Sequence, residues 1–258
     1  MTLNHKNISI HYKVEGDGDP VILLHGFLEN LSMWNAIVPE LSKSHLVISI
    51  DLLGHGKTGC LGYVHTMEDM AKAVAAVLKH LKVNRGTIIG HSMGGYVGLA
   101  LAEKQPQLCE GLCLMNSTFE ADDNERKKLR TRSITLAKSN YNALVGMSFA
   151  NLFAPKSKLK FQDAFKEGLD QALRTPVQGY IAAQEGMKLR PNRFEVFKNI
   201  DGKKLIIAGK KDSLIDTESL RKKLENKSID YEILSEGHMS HIENMEELTY
   251  LLLRFIEK

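Results

Sequence analysis

Apolar and polar positions along this chain fall into two rhythms that alternate. Residues 8–14 alternate side by side, the spacing of a strand with one buried face, and the polar run 15–20 turns the chain. Short continuous apolar runs follow at 21–24, 46–50, 83–89 and 112–115, which predict strands buried on both faces. Between them lies a helix over 66–81, where Met70, Val74, Val77, Leu78 and Leu81 recur at three- and four-residue steps. Thr66 followed by Asp69 fits its capped start. A second helix covers 96–103, with Leu99 and Ala102 on one face.

The rhythm changes near Glu120. From there to Arg190 only helical spacing appears, in segments around 129–136, 143–153, 159–173 and 177–187, interrupted by Pro155 and Pro176. Alternation returns with a strand at 205–208, a helix at 219–225, a strand at 231–234 and a last helix at 244–256. Strands alternating with helices predict an α/β fold: a mostly parallel central sheet with helices on both faces. The expected division is a core of 1–117 and 192–258, with 118–191 inserted as an all-helical lid over the strand ends where ligands of such sheets bind.

Bulk properties narrow the function classes. The chain has 258 residues, 43% hydrophobic and 25% charged, ordinary values for a globular protein. A net charge of +3 gives no reason to expect nucleic acid, and Arg126-Lys127-Lys128 with Arg130 and Arg132 reads as a solvated helix face. Cys60, Cys109 and Cys113 have no metal-ligand spacing, and their odd number fits reduced thiols. No signal-like segment and no membrane-length apolar run is present, so a cytoplasmic location is expected.

The chemistry starts at Thr87-Ile88-Ile89-Gly90-His91-Ser92-Met93-Gly94-Gly95. A buried strand runs into Gly-x-Ser-x-Gly and then a helix, the context of a nucleophile elbow. Gly90 and Gly94 let the strand and helix approach, and the turn presents the Ser92 hydroxyl beside the first helical N–H groups. A serine needs a base, and the base needs an orienting acid. Asp212 lies on the turn after strand 205–208, with Asp216 as the second choice; Asp201 precedes that strand and falls at the wrong end of the sheet. His238 follows Gly237 at the exit of the last strand, whereas His241 falls in the next helical turn. The backbone N–H groups of Phe27 and Met93 are the candidate oxyanion donors, because Gly26 frees the loop after strand 21–24. Phe27, Leu28, Trp34, Met93, Phe119, Met147 and Leu214 are candidate pocket walls.

In combination these segments resemble the α/β-hydrolase superfamily over nearly the whole chain. The resemblance rests on Leu24-His25-Gly26-Phe27, on Asp51-Leu52-Leu53-Gly54-His55-Gly56-Lys57-Thr58, on the serine turn, on Ala208-Gly209-Lys210-Lys211-Asp212, and on Gly237-His238 through Asn244. Leu53 and Thr58 replace the proline and serine common in the second segment, and Met245 stands where proline is frequent. Serine at 92 disfavours the dehalogenase and epoxide-hydrolase branches, which use aspartate.

The resemblance implies a serine hydrolase cleaving carboxylic esters of small to medium acyl groups, with no metal and no organic cofactor. Two alternatives stay open: a carbon–carbon hydrolase or menaquinone-pathway-like lyase, and a receptor-like member with little turnover. The lyase class calls for cations at the pocket, for which Arg126, Arg130, Arg132, Lys138 and Arg190 are the candidates. The expected partner is a small-molecule acyl substrate.

Overall fold

A computed structural model describes residues 1–225 and 227–258. Eight strands form one sheet: β1 (Thr2–His5), β2 (Ile8–Glu15), β3 (Asp19–Leu24), β4 (His45–Ile50), β5 (Gly86–His91), β6 (Cys109–Met115), β7 (Lys203–Gly209) and β8 (Asp230–Leu234). Their spatial order is β1-β2-β4-β3-β5-β6-β7-β8. The first two pairings are antiparallel and all the others parallel. The polar N-terminal stretch gave no strand signal, yet it pairs with β2 as an edge strand.

The helices are α1 (Val38–Leu41), α2 (Met67–His80), α3 (Met93–Lys104), α4 (Asn124–Ala137), α5 (Tyr141–Ala150), α6 (Ser157–Lys160), α7 (Gln162–Leu173), α8 (Val177–Leu189), α9 (Phe194–Lys198), α10 (Thr217–Leu224), α11 (Ser240–Glu243) and α12 (Met245–Glu257). Thr66 caps α2 by accepting from the Asp69 N–H, as its sequence signature predicts. None of the helices among the described residues is long and apolar enough to cross a membrane.

Period-two side-chain direction explains the continuous apolar strands. In β3, Ile22 and Leu24 point to one face with Ile88, Leu112 and Ile206, packing with α2 and α3. Val21 and Leu23 point to the other with Ile89, Cys113 and Ile207, packing with α12. Each face is covered, so both are mostly apolar, with Ser49 and Thr87 among the few buried polar positions.

Register places the site. Leu24 is level with Gly90, and Gly90 with Leu114, so β3, β5 and β6 end side by side. The loops that follow them meet at one edge. Helices α4 to α8 enter the chain between β6 and β7 and carry a separate apolar cluster that includes Val145, Phe149, Phe153 and Tyr180. Helix α9 belongs to the core instead: Phe197 is fully buried in the same cluster as α3.

Two contacts fix α8 on the core. A Cβ on Gly179 would lie 2.1 Å from the Gly54 carbonyl oxygen, and one on Gly186 would lie 1.7 Å from that of His65. Only glycine permits this backbone-to-backbone approach. The His65 N–H also donates to the Ala182 carbonyl at 2.9 Å.

Candidate active site

The turn between β5 and α3 holds Ser92 at φ 49°, ψ −113°, a backbone state unfavourable to any residue with a Cβ. Surrounding bonds impose it. The Ser92 N–H donates to the Met115 carbonyl at 2.9 Å, and the Ser92 carbonyl accepts from Gly95 N–H at 3.0 Å and from Ser117 Oγ at 2.7 Å. A Cβ on Gly94 would stand 2.2 Å from the Leu24 carbonyl oxygen, so the strand and helix meet only because that residue is glycine.

Three residues distant in sequence converge at this turn. His238 Nε2 lies 3.0 Å from Ser92 Oγ, and His238 Nδ1 lies 2.7 Å from Asp212 Oδ2. The second pairing makes Nδ1–H donate to the carboxylate and leaves Nε2 free to accept the serine proton. Asp212 is buried, which alone raises a carboxyl pKa. The charge of His238 and hydrogen bonds from His238, the Leu214 N–H and Asn116 outweigh burial and hold it below its ordinary value. The Leu214 and Ile215 N–H groups bind Asp212 Oδ1 at 2.8 and 3.2 Å. Asp216 is engaged elsewhere, accepting from Ser219 N–H as the cap of α10.

Sequence reasoning missed Asn116. Its amide donates to Asp212 Oδ2 at 3.1 Å and to the Gly237 carbonyl at 3.2 Å, tying the acid to the loop before His238. Its positive φ of 45° just past β6 is set by the fold and leaves no signature in the chain.

Phe27 follows the end of β3, and the loop presses on the serine: a Cβ on Gly26 would lie 3.2 Å from Ser92 Cβ. Among the described residues the Phe27 N–H has no intramolecular acceptor. Met93 is the first residue of α3, so its N–H belongs to the group a helix leaves unpaired.

A cavity of about 360 Å³ opens over Ser92 and His238. Phe27, Leu28 and Leu214 line it as expected, together with Tyr96, Tyr180, Gln184, Met187 and Leu129. Four expected walls are elsewhere, and Met93 is one, fully buried in the core cluster around α3. Trp34 is fully buried on the α12 side of the sheet with Leu23, Ile37 and Leu41, because the short 3-10 turn carrying it folds under the sheet rather than over its edge. Phe119 packs against Phe194 and Phe197, with ring centroids 4.8 and 6.4 Å away. Met147 points outward on α5 and is 64% exposed.

Of the cations, Arg126 and Arg130 line the cavity. Arg130 is paired with Asp122 and bonded to Gln184 Oε1 at 2.9 Å. Arg126 donates to the Leu214 carbonyl at 2.8 Å and has no carboxylate partner among the described residues. Arg190 is buried, 2.7 Å from Asp122 and stacked 4.0 Å from the Tyr96 ring centroid, so its charge is used structurally. Arg132 and Lys138 are exposed and do not line the cavity.

Behind Ser92 lies a buried group of Glu29, His91 and His241, the one set among the described residues whose ligand atoms, all within 4.8 Å, have metal-binding chemistry. Hydrogen bonds already occupy much of it. Glu29 Oε2 accepts from His91 Nδ1 at 2.7 Å, and His91 Nε2 reaches the His238 carbonyl at 2.9 Å. An ion pair accounts for the contact of Glu29 with His91, while Glu29 Oε1 and His241 Nδ1 have no hydrogen-bond partner among the described residues.

Comparison with known proteins agrees with this architecture. The family model described as alpha/beta hydrolase fold matches residues 19–245. The dihydrolipoyllysine-residue acetyltransferase component of the acetoin cleaving system from Pseudomonas putida is 30% identical over 93% of this chain, which spans 64% of that relative's length. A 2-hydroxy-6-oxo-6-(2'-aminophenyl)hexa-2,4-dienoic acid hydrolase from Metapseudomonas resinovorans is 26% identical over 99% of this chain and 90% of its own. A thermophilic esterase from Thermogutta terrifontis superposes with a TM-score of 0.92 at 26% identity, covering 99% of this chain and 96% of the esterase. The chain belongs to the α/β hydrolase fold family.

Proposed function

We propose that the protein is a serine hydrolase acting on carboxylic esters of small to medium acyl groups. The observation that carries this reading is the continuous line from Asp212 through His238 to Ser92, at 2.7 and 3.0 Å, on the floor of the cavity. His238 takes the proton of Ser92 as Oγ attacks the ester carbonyl. The same imidazolium then protonates the leaving alcohol, and Asp212 stabilises its charge. Phe27 and Met93 N–H groups receive the oxyanion at each tetrahedral stage. Water, deprotonated by His238, releases the acid and restores Ser92.

Residues 118–191 act as the lid in this reading. Arg126, Leu129, Arg130 and Ser133 from α4, Ser148 from α5, and Tyr180, Gln184 and Met187 from α8 line the cavity and select the acyl group. The backbone docking of α8 on Gly54 and His65 anchors this lid to the core, and the Arg130–Gln184 bond at 2.9 Å ties α4 to α8.

The test is turnover of p-nitrophenyl esters of graded chain length and labelling by a fluorophosphonate. Ser92→Ala should lower turnover by roughly a thousandfold or more and abolish labelling. Near-wild-type turnover in that variant overturns the reading.

A second reading is carbon–carbon hydrolysis of a substrate bearing a carboxylate. It is favoured by Arg126, a cavity cation without an acidic partner among the described residues, and by the dienoic acid named for the Metapseudomonas relative.

A further inference from the structure

Glu29 sits between the two loops that the proposed reaction must hold still. It is 6% exposed and lies three residues after Gly26. Its Oε2 accepts from the Gly26 N–H at 2.6 Å, which fixes the loop presenting the Phe27 N–H. The same oxygen accepts from His91 Nδ1 at 2.7 Å. His91 is 1% exposed, and its other nitrogen contacts the carbonyl of His238 at 2.9 Å. His91 therefore spans the gap between Glu29 and the backbone of the base.

Bonding chemistry fixes the charge state of this link. An ionised carboxylate and a peptide carbonyl only accept hydrogen bonds. With Glu29 ionised, as its lowered pKa has it, both nitrogens of His91 carry protons to make both bonds, and His91 is an imidazolium paired with a carboxylate. Burial pulls an imidazole pKa down, but Glu29 and the His238 carbonyl raise that of His91 above its ordinary value. Burial likewise works against the Glu29 carboxylate, and His91 holds its pKa down at about 2. His241 also faces Glu29, with Nε2 3.9 Å from Oε1, and burial keeps it neutral.

Space was cleared for the link. A Cβ on Gly26 would lie 2.5 Å from Glu29 Oε2 and 2.7 Å from His91 Nδ1, so the carboxylate and the ring reach each other only across a glycine. His91 is also the residue immediately before the nucleophile, so one rigid element touches the elbow, the oxyanion loop and the base loop together.

We propose that Glu29 is a positioning residue: through a buried Glu29–His91 ion pair it locks the oxyanion loop and the His238 loop in register with Ser92. It touches no reacting atom and acts through Gly26 and His91. This inference rests on the esterase reading for its kinetic consequence, but not for the charge state of His91.

Two measurements test it. In the first, Glu29→Gln is compared with wild type on a p-nitrophenyl ester. A glutamine of similar shape accepts from Gly26 and from a neutral His91, but a neutral imidazole cannot also donate to His238. The expected result is a kcat about 10- to 100-fold lower with KM within about twofold, at a temperature where the variant is folded. An unchanged kcat with only a lower Tm reduces Glu29 to structural support and overturns the proposal.

In the second, nitrogen-15 NMR of the histidine rings in the wild-type protein reads His91 directly, with His91→Gln assigning the signal. Protons on both His91 nitrogens are expected at about pH 6.5, the midpoint of free imidazole, and should persist above it. A single protonated nitrogen overturns the ion pair even if the protein is fully active. Wild-type protein that hydrolyses no ester and takes no fluorophosphonate refutes the esterase reading, and the NMR result then decides the ion pair alone.

Discussion

The hydroxyl of Ser92 and Nε2 of His238 stand 3.0 Å apart although 146 residues separate them in the chain. Register across β5 to β8 carries this proximity. Strands of equal level end on one edge, and each loop leaving that edge delivers one group. The precision comes from bonds around the pair: Ser92 N–H to the Met115 carbonyl, and Asn116 to both Asp212 and the Gly237 carbonyl.

The strained backbone of Ser92 gives a separable effect on stability. Glycine adopts φ 49° without a Cβ clash. Ser92→Gly should be inactive yet more stable than wild type by about 1 kcal/mol, read from chemical denaturation. A variant less stable than wild type would show that the elbow is not strained.

Asp212 and Asn116 should differ in degree. Asp212→Asn should lower kcat by about 10³- to 10⁴-fold, because the amide no longer fixes the useful tautomer of His238. Asn116→Ala leaves Asp212 its His238, Leu214 and Ile215 bonds, so a loss of about tenfold is expected. Equal losses in the two variants would contradict this ranking.

Arg126 decides between the two readings of substrate. Arg126→Gln should raise KM for an ester carrying a distal carboxylate by about tenfold or more and leave a neutral ester of the same length unchanged, if the substrate is anionic. Equal KM changes for both esters would remove the anion from the picture and leave the neutral-ester reading.

Acid should destabilise the fold in a defined window. Burial lowers the His241 pKa to about 4 and, helped by the charge of His25, that of His55 to about 3, from 6.5. Between those values and 6.5 the unfolded chain binds protons that the folded chain refuses, so stability falls as pH drops through this range. Glu29 adds a further loss as pH falls from 4.5 toward about 2. His91 has the opposite sign: its raised pKa stabilises the fold below 6.5, and that contribution fades as pH rises through its folded value. Tm followed by circular dichroism should fall continuously from pH 6.5 to pH 4, a range set by the ordinary and shifted histidine values. A flat Tm across this range would mean that these rings are not buried as neutral groups.

Docking of α8 makes the final prediction. Gly186→Ala places a methyl against the His65 carbonyl, with no flexible side chain to yield. A loss of about 1–3 kcal/mol is expected, measured by denaturant unfolding. A neutral effect would mean that α8 moves freely over the core.

Strand and helix alternation, the elbow at Ser92 and the order Ser92, Asp212, His238 could be read from the chain because each depends on local spacing or on the end of a strand. Short apolar runs that alternate with helical segments mark parallel strands buried on both faces, and the loops at their carboxyl ends then face the site. Edge strand β1 was illegible because its residues are half exposed and polar, and only pairing with β2 makes it a strand.

What the sequence by itself determined is therefore the buried strands, the helices between them and the placing of Ser92, Asp212 and His238 just past strand ends. Only the tertiary structure decided which apolar residues see the cavity: Leu28 and Leu214 do, whereas Trp34 and Phe119 are core and Met147 is surface. It also decided that Arg130 and Arg190 share Asp122 while Arg126 has no acid partner among the described residues, and that Glu29 meets His91 across 62 residues. The physical reason is range. Hydrophobic period and turn chemistry act over a few residues and are written locally, whereas a cavity wall or a buried ion pair exists only where distant segments meet.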